Sequence, residues 1–142
     1  MMLVILNKSS IFVINKQHFY MKIEVSIGEV VDKWTILSIK ILNIKDEDKL
    51  ANVNKEKIYL GETIPTEILH DSLVDQLLGI NLHLWKVEDD IRLCEKEKDF
   101  SLRFIELARS VYRINDERAR IKKEINIKYG SDFVEEKSYE SY

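Results

Sequence analysis

The chain has 142 residues, 45% of them apolar and 33% charged, which suits one helical domain large enough to bury its own core. A formal net charge of −3 argues against a nucleic-acid partner, and no apolar run approaches the ~18 residues that a membrane span needs. The single cysteine, Cys94, excludes an internal disulfide framework and suits a reducing, cytoplasmic setting.

The first twenty residues carry two short apolar runs, MMLVIL and IFVI, separated by NKSS. They lack the basic start, unbroken apolar stretch and small-residue cleavage site of a secretory signal. They read as a leader or as two short, poorly attached strands, with the leader favoured. Met21 makes a sensible start codon, because organised patterning begins at MKIEVSIGEV.

From residue 21 the pattern is helical. Ser26-x-x-Glu29 is a capping box, which predicts a helix from there to about Asn43. Ile27, Val30, Val31, Trp34, Leu37, Ile41 and Ile44 form one apolar face, while Ile36 and Ile39 fall on the other. A helix apolar on most sides is buried among others, so this short helix is expected at the centre. Asp46 or Asp48 caps a second, amphipathic helix through Leu50, Val53, Ile58 and Leu60, with Gly61 ending it in a left-handed conformation. ETIPTE is a loop, with Pro65 barring helix before it and Thr66 available as a cap. A long third helix is predicted over 67–98 and a fourth from Ser101 to Gly130. The polar tail, SDFVEEKSYESY, is expected to be extended.

The expected fold is therefore all-α: an up-down helical bundle over 21–130, with a long antiparallel helix hairpin, a short buried first helix and a polar tail over 131–142. Charge supports the hairpin. Residues 66–100 hold four Lys/Arg and nine Asp/Glu, net −5, and residues 101–129 hold eight and four, net +4. The basic helix is thus cancelled by its neighbour.

Helical angle picks out candidate site residues. At ~100° per residue, Leu73, Leu77, Ile80, Leu84, Val87 and Ile91 make the core face of the third helix. Asn81, Trp85, Glu88 and Arg92 form a second stripe beside it, with Asp90 pointing to water and Asp89 between. On the fourth helix a stripe of Ala108, Tyr112, Asn115, Ala119 and Asn126, with Lys122 at its edge, flanks the apolar face. Small residues mixed with amides suggest close approach by another group, since a solvated face more often carries Glu, Lys and Gln. Arg109, Arg113, Asp116 and Arg120 read as an exposed ion-pair stripe. The first helix contributes Asp32 and Lys33, and Glu29–Lys33 and Glu88–Arg92 are spaced as i,i+4 pairs. The two polar stripes form either a structural network that satisfies buried groups or one ligand cleft between the long helices.

The segments VSIGEVVDKWTILSIK, LANV, NLHLWKVEDDIR, FIELARSVYRINDERARIKKEIN and GSDFVEEKSY resemble a family of small helical proteins from bacteria and viruses classed as a domain of unknown function. The resemblance runs from Met21 to Tyr139. It implies signature positions at Asp32, Lys33, Asn81, Trp85, Glu88, Asp89, Arg92, Arg109, Tyr112, Asn115, Asp116 and Asn126. It also implies a setting near glycosyltransferases and other surface-polysaccharide genes. The N-x-x-LW-x-x-ED-x-x-R segment is similar to a second uncharacterised helical family with such neighbours.

Three functions follow as expectations. The first is a binding module in which Asp32, Lys33, Asn81, Trp85, Glu88, Arg92, Tyr112, Asn115 and Lys122 hold a phosphorylated or nucleotide-linked sugar. Arg92 and Lys122 would take the phosphate, and Trp85 and Tyr112 offer flat surfaces for a ring. The second is a metal-dependent nucleotide (pyro)phosphohydrolase, for which Glu29-x-x-Asp32 and Glu88/Asp89 are fragments without a full second acidic pair. The third is an accessory subunit that meets a glycosyltransferase or a second copy of itself. No cofactor is expected, and His70 and His83 lack partners at zinc-ligand spacing.

Overall fold

The computed structural model describes residues 4–7, 10–13 and 22–140. Two short strands, β1 (Val4–Asn7) and β2 (Ser10–Val13), pair antiparallel with Val4 opposite Val13 and Asn7 opposite Ser10. How firmly the leader is attached, and Met21 itself, lie outside the described residues.

Helix α1 (Ile27–Asn43) starts where the capping box predicts: Ser26 Oγ accepts from the Glu29 amide at 3.2 Å. Only that half of the box forms, because the Glu29 carboxylate accepts from Lys122 Nζ at 2.6 Å instead. Val31, Leu37 and Ile39 are buried on different sides of α1, which packs against α2, α4 and α5. The first helix is thus the central one, as its all-round apolar pattern implies.

Helix α2 (Glu47–Thr63) is capped by Asp46, whose Oδ1 accepts from the Lys49 amide at 2.9 Å. Gly61 does not end it. The helix runs on to Thr63 and stops before Pro65, which disfavours α geometry at Ile64. Gly61 serves packing instead, since a Cβ there would lie 3.3 Å from Trp34 Nε1.

The predicted third helix is two. A single turn, α3 (Thr66–Leu69), follows Pro65, and the long helix α4 (Ser72–Glu97) starts afresh at Asp71. Asp71 Oδ1 accepts from the Leu73 amide at 2.9 Å, and Oδ2 takes Lys128 Nζ at 2.5 Å and the Tyr129 hydroxyl. These partners hold the Asp71 carboxyl at about 2, below its ordinary 3.8, with the Leu73 amide the largest cause. One aspartate therefore caps α4 and ties its start to the end of α5 (Leu102–Lys128).

Both long helices end in the paired 6→1 and 5→2 bonds of a Schellman motif. After α5 the left-handed residue is Gly130, with Ser131 N donating to Asn126 O at 2.8 Å. After α4 it is Lys98, at φ 57°, with Asp99 N donating to Cys94 O at 2.9 Å. The turn between them brings α4 and α5 side by side, and this hairpin is the broadest helix contact in the chain. Charge contributes less to it than the opposite nets suggest. The ion pairs seen on these helices close mostly within one helix, as at Lys86–Asp90 and Arg120–Glu117.

The apolar core joins Val31 of α1, Ile64 and Ile68 around α3, Val74 and Leu77 of α4, and Ile121 and Ile125 of α5. There α1 and α5 touch backbone to backbone: a Cβ on Gly28 would lie 2.6 Å from the Lys122 carbonyl oxygen. The Gly28 amide donates to Asn126 Oδ1 at 2.6 Å, while Asn126 Nδ2 is buried without a hydrogen-bond partner among the described residues.

Candidate functional site

One turn after Gly28, α1 delivers Asp32 to the junction of three helices, 1% exposed. Its Oδ1 accepts from Asn81 Nδ2 of α4 and from Arg118 Nε of α5, each at 2.9 Å. Its Oδ2 accepts from Arg118 Nη2 at 2.5 Å, so the guanidinium grips the carboxylate with two nitrogens. Asn81 Nδ2 also donates to Thr35 Oγ1 at 2.9 Å, and Thr35 Oγ1 donates to the Asp32 carbonyl at 2.8 Å. Hydrogen bonding to Asp32 raises the pKa of Arg118 above the ordinary arginine value.

Lys122 follows Arg118 by one turn, its side chain 9% exposed, with Nζ 2.6 Å from Glu29 Oε2 and 2.9 Å from Glu135 Oε2. Burial disfavours its charge, but the two carboxylates more than offset that and hold the ammonium pKa above the ordinary lysine value. Lys122 in turn lowers the pKa of Glu135. These residues make a polar seam of alternating charge along the α1–α5 contact.

Beside the seam lies a cleft of about 290 Å³. Ile36 and Ile39 of α1 and Leu84 of α4 give it apolar walls, with Trp85 beside them. Glu88, Asp89 and Arg92 line it further along α4, and Asn81 and Arg118 bring the edge of the seam into it. Arg92 Nη1 donates to Glu88 Oε2 at 3.0 Å and to the Glu88 carbonyl at 2.9 Å, so the i,i+4 pair forms within the lining. Asp90 turns aside to Lys86 Nζ at 2.8 Å.

The structure thus gathers Asn81, Trp85, Glu88 and Arg92 in one cleft and places Asp32 directly behind it. It does not bring Tyr112, Asn115 and Lys122 there. Tyr112 and Asn115 line a separate hollow of about 540 Å³ with Asp116 and with Lys137 and Tyr139 of the tail. Lys122 lines a hollow of about 80 Å³ with Ala119, Asn115, Arg118, Glu135 and Lys137. Close approach to the small-residue stripe of α5 thus comes from the tail, where Glu135 and Glu136 pair with Lys122 and Lys123, and from Gly28 at Asn126. Lys33 faces α2, with Nζ 2.6 Å from Glu56 Oε1 and both side chains about half exposed. The Glu29–Lys33 pair expected from spacing gives way to Glu29–Lys122 and Lys33–Glu56.

Arg118 is the residue that sequence reasoning missed. A signal existed: Asn115, Arg118 and Lys122 step by three and four along one face of α5. Asp89 enters through the family resemblance and not through helical angle, and Ile36 and Ile39 read in the sequence only as apolar residues off the main face.

Of the acids the hydrolase reading draws on, Asp32 is bound by Arg118 and Asn81 and Glu29 by Lys122, while Glu88, paired with Arg92, and Asp89 line the cleft. Among the described residues no three His, Cys, Asp or Glu side chains are grouped to hold a metal ion. No described helix is long and apolar enough to cross a membrane.

No curated protein and no solved structure matches the chain. A family model does match, over residues 21–142, and by that match the chain belongs to DUF6165, a family of unknown function.

Proposed function

We propose that the protein is a binding module for a phosphorylated sugar, taken up in the cleft between α1, α4 and α5, in a glycan-biosynthesis setting. The observation that carries this reading is the cleft's make-up: Trp85 with Ile36, Ile39 and Leu84 for the face of a ring, and Glu88, Asp89 and Arg92 for its hydroxyls and phosphate. Asn81 and Arg118 are locked by Asp32, which fixes that side of the site before a ligand arrives. At about 290 Å³ the cleft lies at the lower end of small-molecule sites. That size favours one sugar with its phosphate over a whole nucleotide-linked sugar.

Trp85 supplies the test. The chain has two tryptophans, and Trp34 sits against Gly61 and Lys57 at the α2 contact. A Trp34→Phe variant leaves Trp85 as the sole indole reporter. Glucose 1-phosphate, galactose 1-phosphate and UDP-glucose are then titrated against Trp85 emission and the melting temperature. A saturable change with a sugar phosphate, weakened about tenfold or more by Arg92→Ala through loss of a charge-assisted hydrogen bond, is the expected result. Unmoved emission and melting with all three compounds would refute the reading.

An accessory-subunit role has its own support in the apolar Phe100, Leu102 and Ile105, which are exposed around the hairpin turn. It predicts an assembly larger than one chain by sedimentation, dispersed by Leu102→Asp.

A further inference from the structure

The outer end of the seam holds a second feature of a different kind. Lys122 is nearly buried, and one of its two carboxylate partners, Glu135, comes from outside the helices. Residues 132–140 form neither helix nor strand, and all of them are exposed. Arg118 and Lys137 share the same hollow, and the small side chain of Ala119 leaves its floor open. A buried lysine needs a counter-charge, and here part of it is supplied by a carboxylate on an exposed strap.

We propose that the hollow at Lys122 is a carboxylate-binding site, occupied in the free protein by the Glu135 side chain, which swings out when a small carboxylate-bearing ligand takes its place. The charges favour a single negative group. Arg118, Lys122 and Lys137 line the hollow, with Asp32 paired to Arg118 and Glu29 to Lys122, so withdrawal of the Glu135 side chain alone, with Lys137 kept in place, leaves one net positive charge. A carboxylate restores neutrality, whereas a phosphate dianion overshoots. The body of the ligand has room next door, since Asn115 and Lys137 line both this hollow and the larger one beside Tyr112. The site lies on the tail side of Arg118, the one lining residue it shares with the Trp85 cleft.

A tethered competitor acts at an effective concentration in roughly the millimolar range, so ligands weaker than that are masked in the native chain. The test is a titration of the full-length protein with glucuronate, followed by amide NMR, with glucose and inorganic phosphate as parallel arms. Glucuronate should shift the amides of residues 133–139 saturably, and glucose should not. Glu135→Gln should tighten glucuronate binding about tenfold, and Trp85→Ala should leave it unchanged. Equal or weaker binding by Glu135→Gln would overturn the proposal. So would phosphate moving the tail as strongly as glucuronate does, or shifts confined to the Trp85 cleft.

Discussion

At Asp32 a carboxylate lies inside three helices, and desolvating a charge costs several kcal/mol unless a partner offsets it. Arg118 is that partner, itself 24% exposed, so the pair is buried at one end and wet at the other. Arg118→Met removes the cation and leaves the carboxylate behind. It should lower unfolding stability by about 3–5 kcal/mol in urea titrations. Lys33→Met deletes a pair that water already screens, and should cost under ~1 kcal/mol in the same assay. Similar losses from the two variants would mean that the seam does not hold the helices together. Reading the sequence finds Asp32 and Asn81 but passes over Arg118, and the reason is physical. Period along α5 says which residues share a face. It does not say where α1 crosses, and α1 decides which of several arginines is shielded. The same limit misplaced Lys33, which helical angle cannot assign to α2 or to the cleft.

Element boundaries turned on side chains whose partners are distant in sequence. The periodic pattern from Glu67 onward reads as one helix, yet Asp71 divides it, because its carboxylate caps Ser72–Glu97 and binds Lys128 and the Tyr129 hydroxyl together. Only the first of those roles is local enough to read from sequence. The arrangement has a pH signature. With the Asp71 carboxyl at about 2 in the folded chain against an ordinary 3.8, the folded state holds fewer protons than the unfolded state between those values. Its stabilisation is complete above about pH 4–5 and is lost as pH falls from about 4 to about 2. Thermal melts across that range should fall more steeply for the native protein than for Asp71→Asn, and parallel curves would contradict the assignment. The helix start at Ser26 and the stop at Gly130 were legible, since each signal lies within a few residues of the boundary it sets, whereas Ser101 stands at the start of α5 without a side-chain capping bond.

Across the whole molecule, stability is unevenly spread. Helix α2 has no buried residue: Leu50, Val53 and Leu60 are only half-buried, and it rests mainly on α1, where Lys33–Glu56, Lys57 over the Trp34 ring and the Gly61 contact join the two. A helix held so lightly should open alone. Amide exchange over Glu47–Thr63 should run at least ~10-fold faster than around Leu77 and Ile121 in the core, and uniform protection would show that α2 unfolds with the rest. The bundle and its hairpin followed from the sequence because apolar period and turn chemistry are written along each helix. The two hollows at Tyr112 and Lys122 did not, because they depend on where the tail lies. Gly28 sets the last relation. With no side chain, it lets α1 lie flush on the Lys122 carbonyl, and Asp32 is one turn further along the same helix. It is a spacer of zero thickness. Any larger residue would wedge the two axes apart and lift the carboxylate off its arginine, loosening the back wall of the cleft from a position that never touches it.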